Sequence, residues 1–381
     1  MGLMKKLTTA ACWCLSLALP VKKNRVVFCS YYGRGYSDNP KAIAQAMLDM
    51  GTDAELIWLL KKEEDAKTLP EGITPCPYDS AKRIWALATA KVWVDNCRKY
   101  DRFKKKNQYY LQTWHGFPLK RIEKDALESL APDFEKGAIK DSKHTDLLLS
   151  NSAHSTTVLR RAYWYDGAIG QYGSPRNDVF FHPQPNVREK VLNHFGLDPE
   201  RKLLLYAPTF RADHSIEAYR IELDAAVKAC EERFGGKWTG LVRLHPNVAS
   251  QSAGLFQYDQ ERILDATSYP DMQELLSCAD LLITDYSSSM FDYALSRRPC
   301  IQFALDLDCY RKDRNFYFPL DQLPFPLATT NEELVQQILN FDEERYLTQW
   351  DHFRSSQSFC EDGNASKRCA QWIEDRINGK D

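Results

Sequence analysis

Two histidines stand directly after apolar runs that predict β-strands. His115 follows Tyr109–Thr113 and His245 follows Gly240–Leu244, and each is succeeded by a glycine or proline that ends regular structure. Imidazole titrates near neutral pH, so a histidine at a strand end is suited to proton transfer. A single histidine in such a place is more often a packing or capping residue. Two of them, in different halves of the chain, favour a reaction site.

A run of three serines indicates a possible anion-binding group. Ser287, Ser288 and Ser289 follow the apolar run Asp280–Thr284 and open a helical pattern. Hydroxyls and backbone N–H groups at a helix start attract phosphate, although N-capping, which needs only one serine, is the simpler explanation. Asp292, one turn later, is predicted either to accept a hydrogen bond from a sugar or polyol hydroxyl or to be a solvated surface carboxylate.

The elements that must position these residues alternate along the chain. Strand-like runs such as Val26–Ser30 are followed by helical ones such as the segment after Asn39, which we interpret as a helix cap. This alternation is typical of parallel sheets with crossover helices, where ligands bind beyond the carboxyl ends of the strands. The turn-rich stretch His182–Asn186 divides the pattern and is the predicted linker. We therefore predict an α/β protein with two doubly wound domains that face each other.

Composition excludes several classes of protein. The 381 residues include 50 basic and 52 acidic side chains, a formal net charge of -2, which argues against a basic nucleic-acid binder. An aromatic content of 12% argues against a disordered chain. No apolar run reaches the roughly 18–20 residues of a membrane span. The 11 cysteines are scattered without a C-x-x-C pair, which favours reduced thiols in a reducing compartment such as the cytoplasm.

The first twenty residues have three possible interpretations. An apolar stretch, Ala10–Leu19, lies between the basic residues Lys5 and Lys6 and a second basic group that ends at Arg25. We favour an amphipathic helix on an anionic membrane surface. A signal or anchor segment and a plain packed helix remain open as alternatives.

Several motifs resemble, in order, those of the CDP-glycerol glycerophosphotransferases, which build teichoic acids and related polyol-phosphate polymers. The segment LQTWHGFPLKRI at Leu111–Ile122 is similar to the family's Q-T-W-H-G-T-P-L-K, with Phe117 where threonine is common. The other matching segments are YYGRGYSDNPKA (Tyr31–Ala42), GSPRND (Gly173–Asp178), LYAPTFR (Leu205–Arg211), RLHP (Arg243–Pro246) and TDYSSSMFD (Thr284–Asp292).

The resemblance implies a GT-B-like fold, with two Rossmann-like domains and the active site in the interdomain cleft. The predicted parts are a membrane-surface helix (1–20), an acceptor domain (21–185), a CDP-donor domain (186–355) and a C-terminal helix that packs back on the first domain (356–381). The family includes polymerases with a long N-terminal extension, so this shorter chain is expected to be a primase or short-chain transferase.

The implied reaction transfers glycerol phosphate from CDP-glycerol to a hydroxyl of a lipid-linked (polyprenyl) saccharide or polyol-phosphate acceptor and releases CMP. By resemblance His115 is the base, while His245, with Arg243, stabilises the pyrophosphate. The other residues expected at the donor are Thr113, Trp114, Gly116, Phe117, Arg176, Pro208, Thr209, Leu244, Ser287, Ser288 and Asp292. No metal and no cofactor is expected.

The competing functions come from different classes. One is a GT-B glycosyltransferase that uses a nucleotide sugar, and another is the same transferase with CDP-ribitol as donor. A third is a non-catalytic scaffold of a polymer-assembly complex, which would be free to lose the histidines. The expected location is the cytoplasmic face of the cell membrane, as a peripheral protein that binds no nucleic acid, and the oligomeric state is left open.

Overall fold

The chain forms two compact units. A computed structural model describes residues 12–99, 101, 103–211, 219–244, 256, 258, 261–307 and 316–380. Unit 1 comprises Met1–His115, Glu123–Asp178 and Phe359–Asp381, and unit 2 comprises Gly116–Ile122 and Val179–Ser358. The chain therefore passes from unit 1 to unit 2 directly after His115 and again after Asp178. The second of these passages precedes His182–Asn186, the stretch at which the sequence places the linker.

The strands and helices alternate along the described residues. The strands are β1 (Lys22–Cys29), β2 (Glu55–Leu60), β3 (Ile73–Pro77), β4 (Ala90–Asp95), β5 (Tyr109–Gln112), β6 (Leu147–Ser150), β7 (Ala168–Gln171), β8 (Lys202–Tyr206), β9 (Trp238–Val242), β10 (Ile263–Asp265), β11 (Leu281–Thr284), β12 (Cys300–Phe303) and β13 (Leu327–Ala328). The helices are α1 (Asp38–Asp49), α2 (Ala81–Thr89), α3 (Phe134–His144), α4 (Ala153–Ala162), α5 (Pro185–His194), α6 (Leu223–Phe234), α7 (Met272–Cys278), α8 (Ser289–Ala294), α9 (Asn331–Leu339), α10 (Glu343–Ser356) and α11 (Ala365–Ile377).

The described strands of unit 1 form one parallel sheet in the order β3-β2-β1-β4-β5-β6-β7. Val26 in β1 lies opposite Leu56 of β2 on one side and Val92 of β4 on the other. The second half of β1 is fully buried, because parallel strands covered on both faces must be apolar throughout.

Helices cover both faces of this sheet. On one face α1 and α11 pack against each other, and Ile43, Met47 and Ile373 share a core with the strands. On the other face α2 packs with the helical residues 12–16, whose Trp13 is 3% exposed and lies in the same core as Leu87. The described part of the N-terminal segment is thus tied to unit 1 by the buried ring of Trp13 and by Lys105, whose Nζ donates to Ser16 O at 3.1 Å.

The described strands of unit 2 form a second parallel sheet in the order β10-β9-β8-β11-β12-β13. In each sheet the connections run outwards from the first strand in one direction and then reverse, between β1 and β4 in unit 1 and between β8 and β11 in unit 2. The predicted α/β class with parallel sheets is confirmed.

The segment GSPRND (Gly173–Asp178) anchors the C-terminal helix within unit 1. The carboxylate of Glu361 accepts hydrogen bonds from the Ser174 amide at 2.9 Å and from Asn177 Nδ2 at 3.2 Å. Gly173 has φ +90°, and a Cβ there would lie 2.5 Å from Glu361 Oε2, so glycine is required. Asp178 accepts from the backbone amides of Ala365 at 3.1 Å and Ser366 at 2.8 Å, which caps α11 from a distant part of the chain.

An aromatic cluster holds Gly116–Ile122 within unit 2. The ring of Phe117 is 2% exposed and packs 4.4 Å from Phe291 and 5.9 Å from Phe318, between ring centroids. The amide of Tyr317 donates to Leu119 O at 2.9 Å. Phe117, where threonine is common in the resembling family, is thus a core residue of this unit.

We expect Asp178→Ala to destabilise unit 1 by about 1–2 kcal/mol, because it removes the acceptor of two backbone N–H groups at the start of α11. Urea denaturation followed by circular dichroism measures this loss. Asp53→Ala, at an exposed carboxylate, is the matched control and should change the free energy of unfolding by less than about 0.5 kcal/mol. Equal effects of the two substitutions would show that the cap does not support the helix.

Candidate functional site

The candidate site of unit 1 lies at the carboxyl ends of β1, β4 and β5. Because the connections reverse between β1 and β4, the loops that follow these strands leave a crevice in which α/β proteins bind ligands. His115 lies just after β5, whose neighbour in the sheet is β4. The sequence placed this histidine at a strand end, and the structure places it at the carboxyl edge of the sheet, beside the strands between which the connections reverse.

One hydrogen bond orients the side chain of His115. Its Nδ1 lies 2.8 Å from the carbonyl oxygen of Asn96, which follows β4. A carbonyl oxygen only accepts, so Nδ1 carries the proton and the neutral ring has its lone pair on Nε2. Burial lowers the pKa of His115 below its ordinary value and outweighs the hydrogen bond to Asn96 and the carboxylate of Asp38, which raise it. At neutral pH the imidazole is therefore uncharged and can accept a proton at Nε2.

Aromatic rings flank the imidazole. The ring centroid of Trp114 lies 4.2 Å from that of His115, and the ring of Tyr31 meets it edge-on at 6.1 Å. The amide of Trp114 donates to Gln112 Oε1 at 2.9 Å, and Gln112 Nε2 donates to Cys97 O at 2.8 Å. The last residue of β5 therefore fixes the turn that carries the histidine.

A buried ion pair joins α1 to the 3₁₀ segment Pro175–Phe180. The NH1 atom of Arg176 lies 2.6 Å from Asp38 Oδ2, and both side chains are less than a tenth exposed. The hydroxyl of Tyr31 donates to the same oxygen at 2.7 Å. Burial raises the pKa of Asp38, but the Arg176 guanidinium and the hydrogen bonds to the carboxylate outweigh it and hold that pKa below its usual range. Asp38 is therefore ionised at neutral pH.

Asn39 links this ion pair to the turn of His115. Its Nδ2 donates to Trp114 O at 3.0 Å, and its Oδ1 accepts from the backbone amide of Arg176 at 3.0 Å. The prediction that Asn39 caps the helix is wrong, because α1 begins at Asp38 after the N-cap residue Ser37. The amide side chain serves tertiary contacts instead.

Four residues around His115 have a left-handed backbone conformation, with φ of +44° at Tyr31, +60° at Tyr32, +64° at Asp38 and +54° at Trp114. Each such residue costs about 1–2 kcal/mol. Conformations of this kind persist where surrounding contacts over-determine them, and they concentrate at functional sites. Here they occur in two segments, one after β1 and one after β5.

The corresponding edge of unit 2 is organised around Arg211. Its guanidinium pairs with Asp285 at 2.8 Å and with Asp306 at 2.6 Å. The other oxygen of Asp285 accepts from the amide of Thr209 at 2.8 Å, which ties the segment after β8 to the end of β11. Thr209 Oγ1 is buried and has no hydrogen-bond partner among the described residues.

Arg243 uses its guanidinium to hold backbone. Its NH1 donates to the carbonyl oxygens of Tyr269 at 2.5 Å and Ala266 at 3.3 Å, while the amide of Leu244 donates to Thr267 Oγ1 at 3.2 Å. These bonds fix the turn after β9. His245 follows this turn but lies outside the described residues, so its role stays a prediction.

The serine run lies at the start of α8. Ser289 Oγ donates to Ser287 Oγ at 2.8 Å, and Ser288, the N-cap residue, makes no side-chain capping bond. All three serines are half-buried. Asp292 is 1% exposed, which excludes a solvated surface carboxylate.

The remaining predicted residues are divided between the two units. Thr113, whose amide donates to Asp95 O at 2.9 Å, lies in unit 1, while Pro208 is buried after β8 in unit 2. Gly116, with φ +146°, and Phe117 belong to unit 2. Sequence reasoning missed the following contributors: Tyr31, Asp38, Asn39 and Asn96 in unit 1, and Arg211, Asp285 and Asp306 in unit 2. Most of these residues lie within the family motifs quoted above, so those motifs were the signal in the sequence that could have identified them.

The described residues contain neither a cluster of metal ligands nor a membrane-spanning helix. In that part of the chain, no group of three or more His, Cys, Asp or Glu side chains is placed to hold a metal ion. None of the helices within the same ranges has the length and apolar character needed to cross a membrane.

We expect nuclear magnetic resonance of the histidine side chains to find His115 as the Nδ1–H tautomer, with a pKa below the ordinary 6.5. Long-range ¹⁵N–¹H correlation spectra over a pH titration measure both quantities, and the signal lost in His115→Gln assigns them. A proton on Nε2 at pH 7, or a pKa above 6.5, would contradict the orientation by Asn96.

Comparisons with known proteins agree on one family. The family described as CDP-Glycerol:Poly(glycerophosphate) glycerophosphotransferase matches residues 12–375. A teichoic acid poly(glycerol phosphate) polymerase of Bacillus subtilis (strain 168) is 32% identical over 93% of this chain and 49% of its own length. A teichoic acid glycerol-phosphate transferase of Staphylococcus aureus (strain NCTC 8325 / PS 47) is 32% identical over 92% of this chain and 93% of its own.

A solved structure extends the likeness to the fold. It is a histidine-to-asparagine variant of the wall teichoic acid polymerase TagF soaked with CDPG, and it is 31% identical over 94% of this chain and 90% of its own, with a TM-score of 0.82. The present chain spans about half the length of the Bacillus subtilis polymerase. Because the family matches residues 12–375, nearly the whole chain, the chain belongs to the CDP-glycerol:poly(glycerophosphate) glycerophosphotransferases.

Proposed function

We propose that this protein transfers glycerol phosphate from CDP-glycerol to a hydroxyl of a lipid-linked saccharide or polyol-phosphate acceptor and releases CMP, in the synthesis of a teichoic-acid-like polymer. The observation that carries the proposal is His115, a neutral imidazole whose Nδ1 proton is committed to Asn96 O, so that Nε2 is the basic atom. The relatives at 32% identity are named for poly(glycerol phosphate) and glycerol phosphate, which supports glycerol over ribitol in the donor.

The chemical step needs a base and a stabilised leaving group. Nε2 of His115 takes the proton of the acceptor hydroxyl as its oxygen attacks the β-phosphorus of CDP-glycerol. The bond from that phosphorus to the bridging oxygen breaks, and its electron pair leaves with CMP. A base with a low pKa remains unprotonated at neutral pH and is ready for each turnover.

We assign the donor to unit 2 and the acceptor to unit 1, in a GT-B-like arrangement of two Rossmann-like domains. Each sheet has its connections reversed beside its first strand, and each carries polar residues at that point. In unit 2 Thr209 Oγ1, which has no hydrogen-bond partner within the described part of the chain, is suited to a nucleotide hydroxyl or phosphate oxygen. Ser287 and Ser288 follow β11, the neighbour of β8 in the sheet. His245 is assigned to the pyrophosphate by resemblance.

Membrane attachment is the second part of the proposal. Leu15 is 75% exposed and Leu17 is 44% exposed, while Trp13 of the same segment is buried in unit 1. Lys22 and Lys23, which follow, are exposed, whereas Arg25 is buried and paired with Glu55 at 2.8 Å. An apolar edge beside two lysines is suited to an anionic bilayer, where a lipid-linked acceptor would be met.

CMP release with a lipid-linked acceptor tests the reaction. We expect release from CDP-glycerol and little from CDP-ribitol, with no nucleotide released from UDP-sugars.

His115→Ala should lower the rate by about 10²–10⁴-fold and leave CDP-glycerol binding intact, because only the base is lost. The wild-type rate should fall on the acid side only below about pH 6.5, where the imidazole becomes charged.

The exposed His352→Ala is the matched control and should keep the full rate. Release from UDP-sugars alone would replace the proposal with a glycosyltransferase. If His115→Ala retains more than a tenth of the rate, His115 is not the base.

Co-sedimentation with vesicles that contain phosphatidylglycerol tests the attachment. Leu15→Ser combined with Leu17→Ser should reduce the bound fraction several-fold, since about 1.5–3 kcal/mol of transfer free energy is lost for each leucine that enters the bilayer. The double variant keeps the buried Trp13, which deletion of the whole segment would remove. Met50→Ser, at a methionine that is 40% exposed, is the control. Unchanged sedimentation of the double variant would mean that another surface attaches the protein.

A further inference from the structure

The buried pair of Asp38 and Arg176 has contacts that donor binding does not explain. By resemblance Arg176 is expected to touch the donor, yet its guanidinium lies 2.6 Å from a carboxylate and the side chain is 6% exposed. An arginine that neutralises an internal carboxylate contributes little charge to a pyrophosphate. The pair also belongs to unit 1, together with His115.

We propose that Asp38 and Arg176 are positioning residues for His115, which set the place and the proton affinity of the imidazole rather than bind the donor. This inference rests on the proposed function, in which His115 is the base. Three features support it, two of them geometric and one electrostatic.

The first connection runs through Asn39. Asp38 Oδ1 accepts the amide of Asn39 at 2.7 Å, and Asn39 Oδ1 accepts the amide of Arg176 at 3.0 Å. The other end of that side chain donates to the carbonyl of Trp114, the residue before His115. Asn39 is 1% exposed, so these bonds lie inside the protein, and a shift of the ion pair should move the turn that carries His115.

The second connection runs through Tyr31. Its hydroxyl donates to Asp38 Oδ2 at 2.7 Å, and its ring lies edge-on to the imidazole. Its amide donates to Asn96 Oδ1 at 2.9 Å, and Asn96 supplies the carbonyl that orients His115. Tyr31 and Asp38 both have a left-handed backbone conformation, which costs free energy and is held in place by these hydrogen bonds.

The third feature is the balance of charge around the imidazole. The carboxylate of Asp38 raises the pKa of His115 and the guanidinium of Arg176 lowers it, so the two charges act in opposite directions. Asp95 also raises the pKa of His115, and its carboxylate is itself paired with Lys99 at 2.8 Å. The phenol of Tyr31 stays neutral, because burial raises its pKa well above the usual value. The two members of the pair should therefore act on the base in opposite directions.

Steady-state kinetics of CMP release over pH separate positioning from donor binding. Arg176→Gln and Asp38→Asn should each lower kcat by about 10- to 100-fold, as expected for a misplaced catalytic group, with KM for CDP-glycerol within twofold of wild type. The acid limb should move to higher pH in Arg176→Gln, which leaves the carboxylate uncompensated, and to lower pH in Asp38→Asn. The double variant should lose less than the product of the two single losses, because the two groups act as one unit.

Tyr31→Phe keeps the ring and removes only the hydroxyl, so it tests the second connection even if the charge variants fold poorly. It should lower kcat with donor KM unchanged. Arg161→Gln, which breaks the surface pair with Asp125 in the same unit, is the control and should move neither kcat nor the acid limb.

A readout without turnover completes the test. The histidine titration described above should show the pKa of His115 raised in Arg176→Gln and lowered in Asp38→Asn. A raised donor KM with unchanged kcat, or shifts of the pKa in the same direction in both variants, would overturn the proposal. If the wild type releases no CMP but the two variants shift the pKa of His115 in opposite directions, the proposed function is wrong. The inference that Asp38 and Arg176 position His115 would then still stand.

Discussion

Parallel pairing of the thirteen described strands is the constraint on which the rest of this structure depends. A parallel strand cannot be reached by a hairpin, so each connection must cross a face of the sheet and return to the same starting edge. All carboxyl ends within one sheet therefore meet at one edge, and the loops there come from segments far apart in sequence. This is why Tyr31, Asn96 and His115, which lie on three separate loops, contact one another, and why Thr209 meets Asp285 in the other unit.

The buried charges follow from the same constraint. Loops at the carboxyl edge have no ladder to satisfy their backbone N–H groups. The carboxylates of Asp38 and Asp95 accept two of these groups, from Asn39 and Cys97, and are themselves paired with Arg176 and Lys99. Buried pairs of this kind add little net stability over apolar packing, but the loss of one member leaves a charge without compensation. They favour one arrangement of the loops around His115, whose tautomer is fixed by the hydrogen bond from Nδ1 to Asn96 O.

Much of the architecture was predictable from the sequence, because β-branched and apolar runs such as the one in β1 are local signals. The family motifs also indicated His115 as a candidate site residue from the sequence alone. Two of the missed strands lacked such signals: β3 contains two prolines, which are tolerated at this edge strand, and β13 has only two residues. Asn39 was mistaken for a cap because its partners, Trp114 and Arg176, are distant in sequence. Likewise, nothing local shows that Asp178 caps a helix that begins at Ala365.

The passage of the chain after His115 has a consequence for protein engineering. His115 is the last residue of unit 1 before the chain enters unit 2, and Phe117, two positions later, is buried in the aromatic cluster of unit 2. Two trans peptides span at most about 7.6 Å, so the Cα atoms of His115 and Phe117 cannot lie farther apart than this. A chimera that joins the halves of two relatives at one junction near Asp178 would therefore pair Gly116–Ile122 with a foreign core. Recombination that respects the folded units must move this segment together with residues 179–358 and leave Phe359–Asp381 with its original partner.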